Sequence, residues 1–178
     1  MVGLVVVSHS RVLADALTQL IQQVCPKPIP IAAAGGVGAD RHEFGSDATE
    51  VAQSIASVYS ADGVLVLMDL GGAILSAEMA LELIQEDMRS NVRLCAGPLV
   101  EGAIAAGVHI GLGSNLDTVF EEARQALVPK AHVVILTIHD SVAYRMDATE
   151  AGVSAYILKE EMQAQLVPTL KALLANGG

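Results

Sequence analysis

Residues 2–10 read Val-Gly-Leu-Val-Val-Val-Ser-His-Ser, and this stretch decides the fold. An apolar run with no polar residue at alternate positions is a strand buried on both faces, as strands of parallel sheets are. Val2–Val7 is therefore expected as such a strand. Moving outward, Arg11–Cys25 has helical spacing, with Val12, Leu13, Ala16, Leu17, Leu20 and Ile21 assigned to one face and Pro26 and Pro28 ending it. Ile29–Ala33 reads as a second strand and Gly35–Gly45 as a glycine-rich loop. Asp47–Tyr59 reads as a helix opened by a capping box of Asp47 and Glu50. Gly63–Met68 is a third strand, followed by the turn Asp69-Leu70-Gly71-Gly72, with Ser76 expected to cap a helix reaching Met88. Asn91–Ala96 is a fourth strand. After Pro98 come an alanine-rich helix to about Gly111 and a last helix over Asn115–Leu127. Strands alternating with amphipathic helices predict an α/β fold with a mainly parallel sheet flanked by helices.

In such sheets ligands bind beyond the carboxyl ends of the strands. The loops there are Ser8-His9-Ser10, Gly35–Ser46, Asp69–Gly72 and Gly97–Pro98. His9 and Asp69 are thus expected on one edge, where they could be neighbours. Imidazole is nucleophilic and mostly neutral near pH 7, so His9 can attack a phosphorus or act as a base. Asp69 can accept from its other nitrogen and fix the tautomer. Glycine-rich turns and helix N-termini supply backbone N–H groups for phosphate oxygens. No P-loop ending, no third glycine after Gly111-Leu112-Gly113 and no GxSxG elbow occurs. Ser46 and Ser76 are read as helix-start residues. His42 lies in a site loop and reads as exposed. His109, His132 and His139 lack metal-ligand spacing and no metal site is expected. Cys95, Met79 and Met88 are assigned to the core, and Cys25 to a helix end.

Composition narrows the function classes. The chain has 178 residues, 52% hydrophobic and 3% aromatic, with 20 acidic against 10 basic residues and a net charge of −10. That excess of negative charge argues against nucleic-acid binding, as does the shortage of stacking rings. Mean hydropathy is high at +0.49, yet no apolar run has the ~20 residues of a spanning helix. Met1–Ser8 lacks a basic n-region. Two distant cysteines form no disulfide framework. The expectation is a cytoplasmic protein that binds neither membrane nor nucleic acid.

The charge is uneven. Residues 1–127 hold 15 acidic and 6 basic residues, whereas residues 128–178 hold 5 and 4. The second region has its own pattern: strand Val133–Thr137, helix Ser141–Ala151, strand Ala155–Leu158, helix Glu160–Leu174. Two domains are expected, 1–127 and 128–178, joined at Val128-Pro129-Lys130.

Four motifs in order carry a resemblance. They are Val5-Val6-Val7-Ser8-His9-Ser10, Phe44-Gly45-Ser46-Asp47, Leu67–Ala73 with Leu75-Ser76-Ala77-Glu78, and Cys95–Gly102. Over residues 1–127 the chain resembles the phosphotransferase subunit of bacterial dihydroxyacetone kinase, on the mannose-type enzyme IIA fold. The resemblance implies that His9 takes a phosphoryl group on Nε2 from the histidine-containing phosphocarrier protein of the phosphotransferase system. The group then passes to ADP on the kinase's nucleotide-binding subunit. It implies that Asp69 orients the imidazole, and that Ser10, Gly45, Ser46, Gly71 and Gly72 surround the phosphate. That family usually carries Thr where Ser46 stands and Ser where Gly72 stands. It further implies a homodimer, no tightly bound cofactor and a transient phosphoryl group. A same-fold alternative is the IIA component of a mannose-type sugar transporter.

The second region resembles the C-terminal half of a response-regulator receiver domain, with Thr137 and Lys159 matching its switch Thr and phosphate-binding Lys. Asp69 superficially resembles a receiver phospho-acceptor, but it stands about two βαβ units of roughly 30 residues before Thr137. A βαβα appendage serving as scaffold is therefore expected, with a receiver-like signalling module as the alternative.

Overall fold

The computed structural model describes residues 1–127 and 133–175, and the chain divides into two compact units, Met1–Leu127 and Val128–Gly178. The expected junction Val128-Pro129-Lys130, and His132, lie outside the described residues.

The first unit contains β1 (Gly3–Ser8), α1 (Arg11–Val24), β2 (Ile31–Gly35), α2 (Ala48–Val58), β3 (Val64–Met68), α3 (Gly71–Leu83), α4 (Glu86–Arg89), β4 (Val92–Cys95), α5 (Leu99–Leu112) and α6 (Leu116–Arg124). The four strands form one parallel sheet in the order β2-β1-β3-β4. This is the α/β architecture with helices on both faces that the alternating pattern predicts. All of β1 is buried. Alternate residues serve opposite faces, as the strand period of two requires. Val5, Val7, Val66 and Met68 join the core under α2 and α3, while Leu4, Val6, Leu65 and Leu67 join the core under α1, α5 and α6. Small side chains let the helices approach closely: Ala73, Ala77 and Ala80 seat α3, and Ala103 and Ala106 seat α5. Gly113, in the left-handed region at φ 87°, ends α5 with its N–H on the His109 and Ile110 carbonyls.

Several local expectations need correction. The buried face of α1 is Ala14, Leu17 and Ile21; Val12, Leu13 and Leu20 face solvent. Apolar residues on both sides of this helix blur the stripe, and contact with β1 selects the narrower one. Ser76 does not cap a helix. The Leu70 carbonyl accepts from Ala73 and Ile74, so α3 begins at Gly71 and Ser76 sits inside it. That helix stops at Ile84, whose backbone is extended, and α4 is separate. Ser46 is not a cap either, because the Asp47 carboxylate takes the Glu50 N–H at 2.9 Å. Met79 is 54% exposed rather than core, while Cys95 and Met88 are buried.

The second unit contains β5 (Val134–Thr137), α7 (Val142–Glu150), β6 (Ala155–Leu158) and α8 (Met162–Ala175). Its two strands pair in parallel, with Thr137 opposite Leu158. The Lys159 N–H donates to the Thr137 carbonyl at 2.8 Å, so both receiver-like residues stand at the carboxyl end of this small sheet. The Thr137 hydroxyl accepts from the His139 N–H at 3.0 Å. Among the described residues no helix is long and apolar enough to cross a membrane.

Candidate active site

The strand order places β1 beside β3, with β2 on the far side of β1. Chain direction away from the sheet centre reverses between β1 and β3, which makes this the crevice where α/β sheets bind ligands. Val7 pairs with Met68, so Ser8 and His9 emerge beside Asp69.

Asp69 is the organising group. Its Oδ1 lies 2.9 Å from His9 Nδ1 and accepts from the Leu70 N–H at 2.6 Å. Its Oδ2 accepts from the Ser8 hydroxyl at 2.8 Å and from the His9 N–H at 2.9 Å. Burial pushes this carboxyl up, but the donations from His9, Ser8 and Leu70 outweigh it and hold Asp69 below its ordinary range. A carboxylate at Nδ1 puts the ring proton there, leaving the Nε2 lone pair free. Ser8 is fully buried, and its oxygen also accepts from the Ser10 N–H at 3.0 Å.

Nε2 meets the first turn of α3. A Cβ built on Gly72 would stand 2.6 Å from Nε2 and 3.2 Å from Cε1, whereas one on Gly71 meets nothing within 4 Å. The Gly71 and Gly72 N–H groups have no protein acceptor among the described residues, as first-turn donors commonly do not. This corner can present an imidazole lone pair beside free backbone donors.

The other expected site residues serve as supports. The Ser10 hydroxyl caps α1 by accepting from the Leu13 N–H at 3.3 Å. The Gly45 N–H donates to the His9 carbonyl at 2.9 Å, so it holds the loop rather than standing open for a phosphate. The Ser46 hydroxyl pairs with that of Ser76 at 2.8 Å and reaches the Gly72 carbonyl at 3.4 Å, while the Ser76 hydroxyl reaches the Ser46 carbonyl at 3.1 Å. The 45–47 segment thereby fastens the first turns of α3. His42 is exposed.

Sequence reasoning missed Glu50, Arg11 and Arg41. Glu50 is 8% exposed. It does not complete the capping box, because its carboxylate points away from Asp47. Oε1 takes Arg11 at 2.9 Å, and Oε2 takes the Gly35 N–H at 3.1 Å and also pairs with Arg41. Arg11 further pairs with Asp15 at 2.8 Å. One carboxylate therefore binds the start of α1, the end of β2 and the loop that reaches the His9 carbonyl. The available signal was an acidic residue in a helix turn facing one arginine at the start of α1 and another in a site loop, a pattern with no fixed spacing. Among the described residues no group of three or more His, Cys, Asp or Glu is placed to hold a metal.

Comparison with known proteins places this geometry in a family. A protein of Providencia stuartii (strain MRSN 2154) named PEP-dependent dihydroxyacetone kinase, phosphoryl donor subunit DhaM, is 38% identical over 99% of this chain and 38% of its own length. The chain thus spans well under half of that relative. A shorter protein of Listeria innocua, named PEP-dependent dihydroxyacetone kinase 2, phosphoryl donor subunit DhaM, is 32% identical over 68% of this chain and 96% of its own. A crystal structure of EF1359, a protein of unknown function, matches with a TM-score of 0.62 at 32% identity, covering 70% of this chain and 93% of that one. The family model for the PTS system fructose IIA component (EIIA-man) matches residues 3–120, from β1 into α6, and the chain belongs to that family.

Proposed function

We propose that this chain is a phosphoryl relay. His9 accepts a phosphoryl group from the histidine-containing phosphocarrier protein of the phosphotransferase system and passes it to ADP on the nucleotide-binding subunit of dihydroxyacetone kinase. The observation that carries the reading is the His9 ring, tied to Asp69 through Nδ1 at 2.9 Å with Nε2 turned to the open first turn of α3. The names of the relatives support the same role.

The steps balance without an added reactant. The Nε2 lone pair forms a bond to phosphorus as the donor's P–N bond breaks, and that electron pair returns to the donor imidazole. In the second step an oxygen of the ADP β-phosphate bonds to phosphorus while the Nε2–P bond breaks and its pair returns to His9. Asp69 holds the Nδ1 proton throughout and offsets positive charge that develops on the ring. The Gly71 and Gly72 N–H groups and the α3 dipole receive the equatorial oxygens. Catalysis rests on in-line positioning and charge stabilisation. Ser10, Gly45 and Ser46 shape the pocket around the phosphoryl group. No resident cofactor is needed, and the phosphoryl group is transient. We place the chain in the cytoplasm as a homodimer, with the acidic first unit docking basic faces of its partners.

The test incubates the chain with enzyme I, the phosphocarrier protein and labelled phosphoenolpyruvate. The expected label is acid-labile and base-stable, on His9, and is lost in His9→Gln. Adding the ADP-loaded kinase subunit then yields labelled ATP. An acid-stable, base-labile label on Asp69 would support a receiver instead, and no label would leave a binding role.

A further inference from the structure

We infer that Ser8 is a positioning residue: its hydroxyl fixes the Asp69 carboxylate so that the proton shared with His9 stays on Nδ1 and Nε2 keeps its lone pair. The kinetic consequence rests on the relay reading of His9, whereas the proton assignment stands on geometry alone. Ser8 is the polar end of β1, where Leu4, Val5, Val6 and Val7 are fully buried and aliphatic, and it is fully buried itself. A hydroxyl in such a place is costly unless it is bonded. Its oxygen accepts from the Ser10 N–H at 3.0 Å and donates to Asp69 Oδ2 at 2.8 Å. Besides the ring, the other groups on this carboxylate are the backbone N–H of His9 at Oδ2 and that of Leu70 at Oδ1. Those two can only donate. The hydroxyl is the neighbour able to turn and accept a carboxyl proton, and the Ser10 N–H on its oxygen holds it facing Asp69 as a donor. A proton on Asp69 would then have no acceptor, so the one between Oδ1 and Nδ1, 2.9 Å apart, belongs to the ring. Ser8 and the His9 N–H together also stop the carboxylate from rotating and leave Oδ1 aimed at the imidazole. Without the hydroxyl, Oδ2 keeps only the His9 N–H, and the ring proton can redistribute between the two nitrogens. Had the hydroxyl served only the turn at Ser10, its loss would weaken the start of α1 and leave the ring proton where it is.

The experiment compares Ser8→Ala, Ser8→Cys and Ser8→Thr in the full chain, and Ser8→Ala again in an Asp69→Ala background. Ring ¹⁵N spectra are taken at a pH where His9 is neutral. Wild type is expected to show the Nδ1–H tautomer, and Ser8→Ala to gain an Nε2–H population. Ser8→Thr keeps the hydroxyl on an extended backbone that suits a β-branched residue, so it is expected to retain the wild-type spectrum. Single-turnover phosphorylation of Ser8→Ala is expected to slow by about tenfold, the effect of a misplaced catalytic pair, with Ser8→Thr restored toward the wild-type rate. In the Asp69→Ala background, Ser8→Ala is expected to cost no further rate, because no carboxylate is left to position. Should Ser8→Ala fail to fold, Ser8→Cys keeps the shape with a weak donor and is expected to show the same gain of Nε2–H. A wild-type ring protonated on Nε2 would overturn the inference. So would an unchanged spectrum in the folded variant lacking the hydroxyl, or a rate loss that persists undiminished in the Asp69→Ala background. A wild-type chain that takes no label would instead defeat the relay reading and leave the spectra to decide the proton assignment.

Discussion

Replacing Asp69 by Asn tests the centre of the site with almost no change of shape. The carboxylate accepts four donations, two at each oxygen: His9 Nδ1 and the Leu70 N–H at Oδ1, and the Ser8 hydroxyl and the His9 N–H at Oδ2. An asparagine side chain has one oxygen, so its NH₂ must face two former donors in either orientation. If the NH₂ faces Ser8, the hydroxyl can turn and accept, leaving the His9 N–H unpaired. If it faces the ring, Nδ1 must become the acceptor, the proton moves to Nε2 and the nucleophilic lone pair is lost, with the Leu70 N–H unpaired as well. The first route leaves the part-buried His9 N–H without a partner, at about 1–3 kcal/mol, whereas the Leu70 N–H orphaned in the second is exposed and can turn to water. The second route also blocks the chemistry, and a wrong tautomer in a His–carboxylate pair costs on the order of 10⁴ in rate. Asp69→Asn is therefore expected to lower stability by about 1–3 kcal/mol in urea unfolding. It should slow single-turnover phosphorylation by His9 by about 10²–10⁴-fold. Rapid-quench kinetics and the His9 ¹⁵N spectrum read the two effects separately. Phosphorylation within threefold of wild type, with the Nε2–H tautomer dominant in the spectrum, would refute the assigned roles of both residues.

Other outcomes follow from the same contacts. Asp69 is held below its ordinary range, so its hydrogen bonds contribute stability that is fully present above the unfolded-state pKa and lost as pH falls through the lower folded value; acid unfolding of Asp69→Asn should lack that component. Glu50→Ala leaves two arginines and the Gly35 N–H facing an empty corner. Because both arginines are over a third exposed and the buried Gly35 N–H is the group left without a partner, the loss is expected at about 1–3 kcal/mol in urea unfolding, with Glu50→Gln milder because it still accepts. Ser46→Ala removes the ties to Ser76 and Gly72 and is expected to cost about 1 kcal/mol, with faster hydrogen exchange in the first turns of α3.

Much of the first unit is legible locally. The run through Val7 and the helix signal at Asp47 each depend on residues within a few positions, and apart from the helix after Asp69, which begins and ends five residues before its expected place, the expected elements of the first unit stand within two or three residues of where they were read. Where local reading failed, competing signals were present. On α1 the apolar residues were too many for one stripe, and contact with the sheet chose among them. At Ser76 a good capping residue lay within a helix that the Leu70 carbonyl had already started. At Glu50 a capping-box spacing held, yet two arginines and a backbone N–H from other segments outcompeted the return bond to Asp47.

By itself the sequence determined the element types, the edge on which the loops meet and the imidazole that stands at the end of a buried strand, because strand and helix periods are written in neighbouring residues. Tertiary structure alone decided that β1 lies beside β3, so that His9 and Asp69, 60 positions apart, share a hydrogen bond. It also decided that Nε2 meets the first turn of α3, and that Glu50 gathers three segments behind the site. These outcomes depend on which helices cover which face of the sheet, a property of the whole packed core that no local spacing encodes.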